Sequence, residues 1–230
     1  MDGILVYYPV FGAARDRTLQ ATVNIHKDVE GLSPYLVNNM YQNIRFLDPP
    51  HNKQKSILPC TPLACIKILE YLQIYNTILD YGSRLFGRRI TVINRSEVVG
   101  RPLAALLAND GAEVYSVDVT GVQQFSRGKG LRKQQHAVEE RPDMTLEDCL
   151  AISSVVISGV PGNNFKVPLE KLRDGAVCIN FSTDKVRLST RVLQRLGWSL
   201  LNPEFHTGSQ GEGSDLRPSN RQGYNHDPVP

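Results

Sequence analysis

Residues 89–118 restrict this chain more than any other stretch. They spell a strand, a short polar turn, an apolar helix and a second strand ending on an acid. Arg89 to Ile93 is a β-rich run, and Asn94 to Glu97 is the polar turn. From Val99, apolar residues recur at Leu103, Leu106 and Leu107, the spacing of a helix that buries one face. Pro102 falls in the first turn, where a missing N–H costs nothing. Gly111 suits the helix stop, and Ala112 to Val117 return as a strand. The unit predicts an α/β fold with a Rossmann-like parallel sheet.

A helix N-terminus facing the end of a parallel strand offers free N–H groups and partial positive charge, which suits a pyrophosphate. Asp118 lies 18 positions after Gly100, close to the ~20-residue interval at which a carboxylate accepts from the ribose hydroxyls of NAD. The usual G-x-G-x-x-G is absent, with Asn94 and Gly100 standing where glycines are expected. Asn tolerates positive φ better than other side-chain-bearing residues, so a tight turn at Asn94 is compatible with the pattern. Arg95 and Ser96 supply donors for phosphate oxygens at that turn, and Val119 adjoins the ribose acid. Gly159, Val160 and Pro161 follow the strand Ser154 to Ser158. They form a small-residue floor for a nicotinamide ribose or, equally, an ordinary strand-ending turn. The bland alternative is a nucleotide-free βαβ unit in which Asp118 merely ends a strand.

Composition narrows the classes. With 230 residues, of which 41% are hydrophobic, the chain can bury one large or two small cores. A net charge of +3 and no basic stripe interleaved with aromatics argue against a nucleic-acid partner. No apolar run is long enough for a membrane span, and no secretory signal pattern is present. Cys60, Cys65, Cys149 and Cys178 form no C-x-x-C pair and make a poor zinc site, so reduced cytoplasmic thiols are the simpler reading.

Three regions follow. Residues 1–80 open on an apolar strand, Ile4 to Val10, and continue through a polar loop. A helix then starts at Thr61-Pro62, with Leu63, Ile66, Leu69 and Leu72 along one face. Residues 81–201 alternate strand and helix. Within them, Thr120 to Met144 is charged and aperiodic and reads as a solvated insertion. Residues 202–230 carry only Phe205, Leu216, Tyr224 and Val229 as apolar groups, too few to offset ordering entropy, and read as a disordered tail.

The motifs resemble those of a known family. N-R-S-E-V-V-G-R-P, Asn94 to Pro102, is similar to the G-R-S-x-x-V-G-x-P signature of the methylenetetrahydrofolate dehydrogenases. G-I-L-V-Y-Y-P at Gly3 to Pro9 resembles the family's G-x-x-V-Q-x-P, and K-D-V-E-G at Lys27 to Gly31 its K-D-V-D-G. L-P-C-T-P at Leu58 to Pro62 matches P-C-T-P, and G-A-V-C-I-N at Gly175 to Asn180 resembles the last nucleotide-domain strand. The departures (Asn for the first Gly, Tyr for Gln, Glu for Asp) resemble the fungal, NAD-specific, monofunctional cytosolic branch.

The resemblance implies hydride transfer from 5,10-methylenetetrahydrofolate to NAD, a cytoplasmic homodimer, and a place in one-carbon metabolism and purine biosynthesis. It implies a partial α/β folate-side domain over 1–80 and a nucleotide domain over 81–201. Glu30 then contacts the pterin, where a carboxylate accepts from the 2-amino and ring N–H pair. Tyr7 and Pro9 line the same wall, although Tyr7 could equally be a core aromatic. Cys60 is a candidate site thiol before a helix, more plausibly a packed neighbour of substrate than a nucleophile. The family's segment before Gly3 and its closing helix have no counterpart here, as in a truncated gene product. A catalytically impaired nucleotide-binding module is the alternative function, and a different two-domain α/β dehydrogenase is a third.

Overall fold

The computed structural model describes residues 2–127, 135–161 and 165–182. The expected tail, 202–230, and the end of the 81–201 region lie outside the described residues. Three helices, α1 (Ala13–Thr22), α2 (Pro34–Tyr41) and α3 (Cys60–Tyr71), precede β1 (Arg89–Ile93), α4 (Gly100–Asn109) and β2 (Glu113–Asp118). There follow β3 (Gly121–Ser126), β4 (Ala137–Glu140), α5 (Leu146–Ile152), β5 (Val155–Ser158), a 3-10 turn at Leu169–Lys171 and β6 (Val177–Asn180).

The strand order is β4-β3-β2-β1-β5-β6. β2, β1, β5 and β6 are mutually parallel, whereas β3 pairs antiparallel with β2 and β4 antiparallel with β3. The expected parallel sheet is thus the larger half of a mixed one. Alternation along the strands explains why helices cover both faces. Ile90, Val92, Val114, Val155 and Ile157 share a core with Leu103 and Leu107 of α4. Ile93 and Val156 pack with Leu150 of α5, and Tyr115 and Val117 with Cys149. α5 is pinned by a capping box, in which Thr145 Oγ1 accepts from Asp148 N–H and the Asp148 carboxylate from Thr145 N–H.

Two expectations need correction. The apolar run Ile4 to Val10 is not a strand; among the described residues its one ladder contact is an isolated bridge between Ile4 and Asp28. Hydrogen bonds from Val10, Phe11 and Gly12 N–H to the buried Asp16 carboxylate hold the chain there instead. The stretch Thr120 to Met144 is not a plain solvated insertion, because it contributes β3 and β4 to the sheet. Val122 of β3 is buried on the α5 face and Phe125 on the α4 face. Apolar residues three apart on opposite faces leave no period-2 signal. β4 is exposed along its length, and Glu139 and Glu140 charge this edge.

The helical N-terminal part and the sheet share one core, since Met40, Ile66 and Leu69 pack with the α4 residues. Polar groups tie the two further. Arg45 Nη2 donates to Asp110 Oδ1 at 2.8 Å, Tyr75 Oη to Asp110 Oδ2 at 3.0 Å, and Asn109 Nδ2 to the Met40 carbonyl at 3.0 Å.

Asn109 also fixes His136. Its Oδ1 accepts from His136 N–H at 3.1 Å and faces Nδ1 at 3.0 Å, while the imidazole stacks on Phe125. Burial first, and the Arg101 charge second, push the His136 pKa below its usual 6.5. The folded ring is neutral where the unfolded one is already protonated. Stability therefore falls as pH drops through about 6.5 towards the lowered folded value, by at most ~1.4 kcal/mol per pH unit. Urea midpoints at pH 7.5 and 5.5 check this. The parent loses more stability than His136→Gln over that interval, and equal losses would refute the assignment.

Candidate dinucleotide crevice

β1 sends its chain to β2 on one side and takes β5 as its other neighbour. In a doubly wound sheet, the ligand crevice lies at that reversal, beyond the carboxyl ends of the strands. Asn94 follows β1, Asp118 closes β2 and Gly159 follows β5. Hydrogen bonds join Asn94 to Gly159, and the next residue, Arg95, to Asp118.

Asn94 is the hub. Its φ of 91° places it in the left-handed region, the conformation a tight turn requires of a residue standing for glycine. Its N–H donates to the Val117 carbonyl at 3.0 Å, and its Nδ2 to the Gly159 carbonyl at 2.6 Å. Gly159 N–H returns a bond to the Ile93 carbonyl. Asn94 Oδ1 accepts from Ser96 N–H at 2.9 Å.

Ser96 holds the entry to the helix, whose N-cap position is Val99. Its Oγ accepts from Val99 and Gly100 N–H at 3.3 and 3.2 Å, and its carbonyl from Arg101 N–H at 3.0 Å. With Pro102 lacking a donor, the first turn of α4 has few N–H groups left, which corrects the expectation of free helix donors. The N–H groups of Glu97 and Val98, on the exposed outer arc of the turn, make no hydrogen bond within the described residues. These and the axial dipole of α4 are what the turn offers a phosphate. Gly100 allows the turn to lie on the helix, since a Cβ there would fall 1.8 Å from the Asn94 carbonyl oxygen.

Arg95 takes a part other than the expected one. Its guanidinium is turned onto the β2–β3 hairpin rather than held as a donor at the phosphate turn. Nε donates to Ser116 Oγ, Nη1 to Thr120 Oγ1, and Nη2 to the carbonyls of Ser116 and Gly121. Its backbone N–H donates to Asp118 Oδ2 at 2.6 Å, and Val119 N–H to Oδ1 at 2.7 Å. Two fixed N–H groups therefore orient the Asp118 carboxylate, and each oxygen keeps a lone pair for a further donor. Val119 itself is fully exposed at the tip of the turn.

At the third strand end, Val160 packs on the cluster of Ile93, Leu150, Val156 and Leu172, while Pro161 is exposed. A Cβ at Gly159 would fall 1.9 Å from the ring of Phe181. Packing against this aromatic accounts for the glycine, and no periodicity pointed to it.

The folate-side motifs meet one another. Ile4 N–H donates to the Lys27 carbonyl, Val29 N–H to the Ile4 carbonyl, and Val6 N–H to Glu30 Oε2 at 3.0 Å. The buried Asp28 carboxylate takes the N–H groups of Glu30, Gly31 and Ser33. At Gly31, with φ of 68°, a Cβ would lie 2.7 Å from the Leu58 carbonyl carbon, so this glycine seats the K-D-V-E-G loop on L-P-C-T-P. Tyr7 is 88% exposed, which excludes the core reading, and Pro9 is exposed beside it. Tyr8 lines a small pocket with Asp28 and Glu30, and burial, followed by the charges of Glu30, Asp16 and Asp28, pushes its pKa up.

Cys60 opens α3 with its thiol exposed and its Sγ 3.5 Å from the Val29 carbonyl, with no base bonded to it. The other thiols are free and sheltered. Burial pushes Cys65 and Cys149 to about 11 and Cys178 to about 12. A cavity of about 510 Å³ runs along α3 from Cys60 past Glu70 to Leu106 and Asp110, and its lining includes none of the nucleotide-turn residues. Among the described residues no His, Cys, Asp and Glu cluster could hold a metal, and no helix is long and apolar enough to cross a membrane.

A doubly wound sheet with an acid at the β2 end and a glycine-seated turn at the β1 end defines a Rossmann-like dinucleotide-binding class. The description "Tetrahydrofolate dehydrogenase/cyclohydrolase, NAD(P)-binding domain" fits residues 59–129. The methylenetetrahydrofolate dehydrogenase [NAD(+)] of Schizosaccharomyces pombe is 58% identical over 185 residues, covering 80% of this chain and 57% of that protein. Its Saccharomyces cerevisiae namesake is 55% identical over 188 residues, covering 80% and 58%. The solved structure of the NAD-dependent 5,10-methylenetetrahydrofolate dehydrogenase from Saccharomyces cerevisiae superposes with a TM-score of 0.73 at 54% identity, covering 84% of this chain and 62% of that one. Over about four-fifths of its own length the chain is similar to members of the tetrahydrofolate dehydrogenase/cyclohydrolase family. It spans somewhat over half the length of these relatives.

Proposed function

We propose that this chain carries the nucleotide side and part of the folate side of an NAD-dependent methylenetetrahydrofolate dehydrogenase. The observation that carries the reading is Asp118, held by the N–H groups of Arg95 and Val119 at the reversal point of the sheet. A fixed carboxylate there accepts from ribose hydroxyls and repels a 2′-phosphate, so NAD is favoured over NADP. The likeness to the NAD-dependent enzymes of both yeasts supports the same reading.

In the proposed reaction, the bridging methylene carbon of 5,10-methylenetetrahydrofolate passes a hydride to nicotinamide C4. The flanking nitrogens stabilise the methenyl cation that remains. Such a transfer asks the protein to align two carbons and exclude water, rather than to supply an acid and a base. Glu30, with one oxygen on Val6 N–H, accepts from the pterin edge, and Tyr7 and Pro9 line its wall. Cys60 sits beside that wall as a small neighbour. Asn94, Ser96 and Gly100 shape the phosphate turn. Gly159 to Pro161 lie on the nicotinamide side, with the Phe181 ring packed over Gly159. A cytoplasmic homodimer acting in one-carbon supply belongs to the same proposal.

The purified chain is expected to form NADH from NAD only when 5,10-methylenetetrahydrofolate is added, and to do so poorly with NADP. NAD binding without folate-dependent NADH would instead favour a nucleotide-binding module. Absence of both would remove the functional reading.

A further inference from the structure

We propose that Arg95 is a positioning residue that sets nucleotide preference through Asp118, rather than a side-chain ligand of the phosphates. The inference rests on the nucleotide reading above and deepens it.

The geometry runs through one residue. Arg95 Nε and Nη2 hold Ser116 Oγ and carbonyl at 3.1 and 2.6 Å, and Ser116 is fully buried in β2. Nη1 and Nη2 hold Thr120 Oγ1 and the Gly121 carbonyl at 3.0 and 2.8 Å, on the far side of the turn. The guanidinium thus bridges the rigid strand to the turn that follows it, and Asp118 lies between the two anchors. These four bonds nearly exhaust the donors a guanidinium carries, so little is left for a phosphate.

From the β1 side, the backbone N–H of the same residue reaches Asp118 Oδ2 at 2.6 Å. Carboxylate and turn are therefore both tied to one residue, through its backbone N–H and its guanidinium, and loosening the fork displaces the acid. The turn needs this support. The Val119 side chain is fully exposed, and besides the Arg95 fork the turn is held by the ladder pairs Val117–Val122 and Asp118–Gly121 and by Val119 N–H on Asp118 Oδ1. A lysine keeps the positive charge but cannot reproduce a planar fork with donors in several fixed directions. Arg95→Lys accordingly separates geometry from charge.

The test measures the dissociation constants of NAD and NADP by calorimetry on the full chain, alongside kcat at saturating NAD. Arg95→Lys is expected to weaken NAD at least tenfold, narrow the NAD-over-NADP ratio by a similar factor, and leave kcat within about twofold. In an Asp118→Ser background the same change is expected to alter NAD affinity less than about twofold, because the acid through which Arg95 acts is gone. Thr120→Val, an exposed single-bond deletion that spares the core, should give a smaller loss in the same direction. An equal loss in both backgrounds would assign Arg95 to the phosphates directly and overturn the proposal. Unchanged NAD affinity in Arg95→Lys would overturn it as well. A parent chain that binds NAD without turning over folate removes the functional reading alone, since the decisive readout here is binding.

Discussion

Gly100→Ala is expected to cost roughly 2–4 kcal/mol of stability and to abolish detectable NAD binding. The added Cβ would lie 1.8 Å from the Asn94 carbonyl oxygen, 2.8 Å from its carbonyl carbon and 3.2 Å from Arg95 Cα. All three are backbone atoms and cannot rotate away. Either the turn lifts off α4 or the helix retreats. Overpacking of this kind costs ~1–3 kcal/mol. Lifting the turn also pulls Ser96 Oγ from the Val99 and Gly100 N–H groups, a cap-like pair of bonds worth ~1 kcal/mol. It further strains the Asn94 bond to the Gly159 carbonyl, one tie between the ends of β1 and β5 beyond their ladder. Gly87→Ala is the control. Its φ is 78° but no atom lies within 4 Å of the added Cβ, so only the backbone conformation is penalised. Urea denaturation and NAD titration of both variants check the pair. An alanine at 100 that matches the parent in both measurements would show that the turn does not rest on the helix as described.

Asp118→Ser is expected to shift the NAD-to-NADP preference by ~1–3 kcal/mol, or about 5- to 150-fold, by removing charged hydrogen bonds to the ribose and the repulsion of a 2′-phosphate. Serine is the informative replacement, because its hydroxyl can still accept one of the two N–H groups from Arg95 and Val119 that the carboxylate now takes at 2.6 and 2.7 Å. Leaving both unpaired would confound selectivity with a general loosening of the turn. Competition of the two nucleotides for the parent and the variant gives the shift directly. Equal affinities in the parent would already sink the role assigned to Asp118.

The sequence by itself determined the βαβ unit and the direction in which it faces. Val99 to Leu107 announce α4, Gly111 its end and Asp118 the close of β2. The expected single buried face is corrected by the fold, which buries every residue of α4 except Arg101. The positive φ at Asn94 was legible because few residue types tolerate that conformation. The ordered motifs likewise carried the family. Tertiary structure alone decided where the polar side chains go. Arg95 finds Ser116 and Gly121 across separations of 21 and 26 residues, and Asn94 finds Gly159 across 65. It also decided that Phe181 fills the space over Gly159, that Gly31 seats one motif on another, and that Val122 and Phe125 carry a strand through a stretch that reads as a loop. Periodicity records the burial of a segment's own faces. The partner of a long polar side chain, or of an absent one, is set by whichever distant backbone the fold brings alongside, and no local pattern encodes that neighbour.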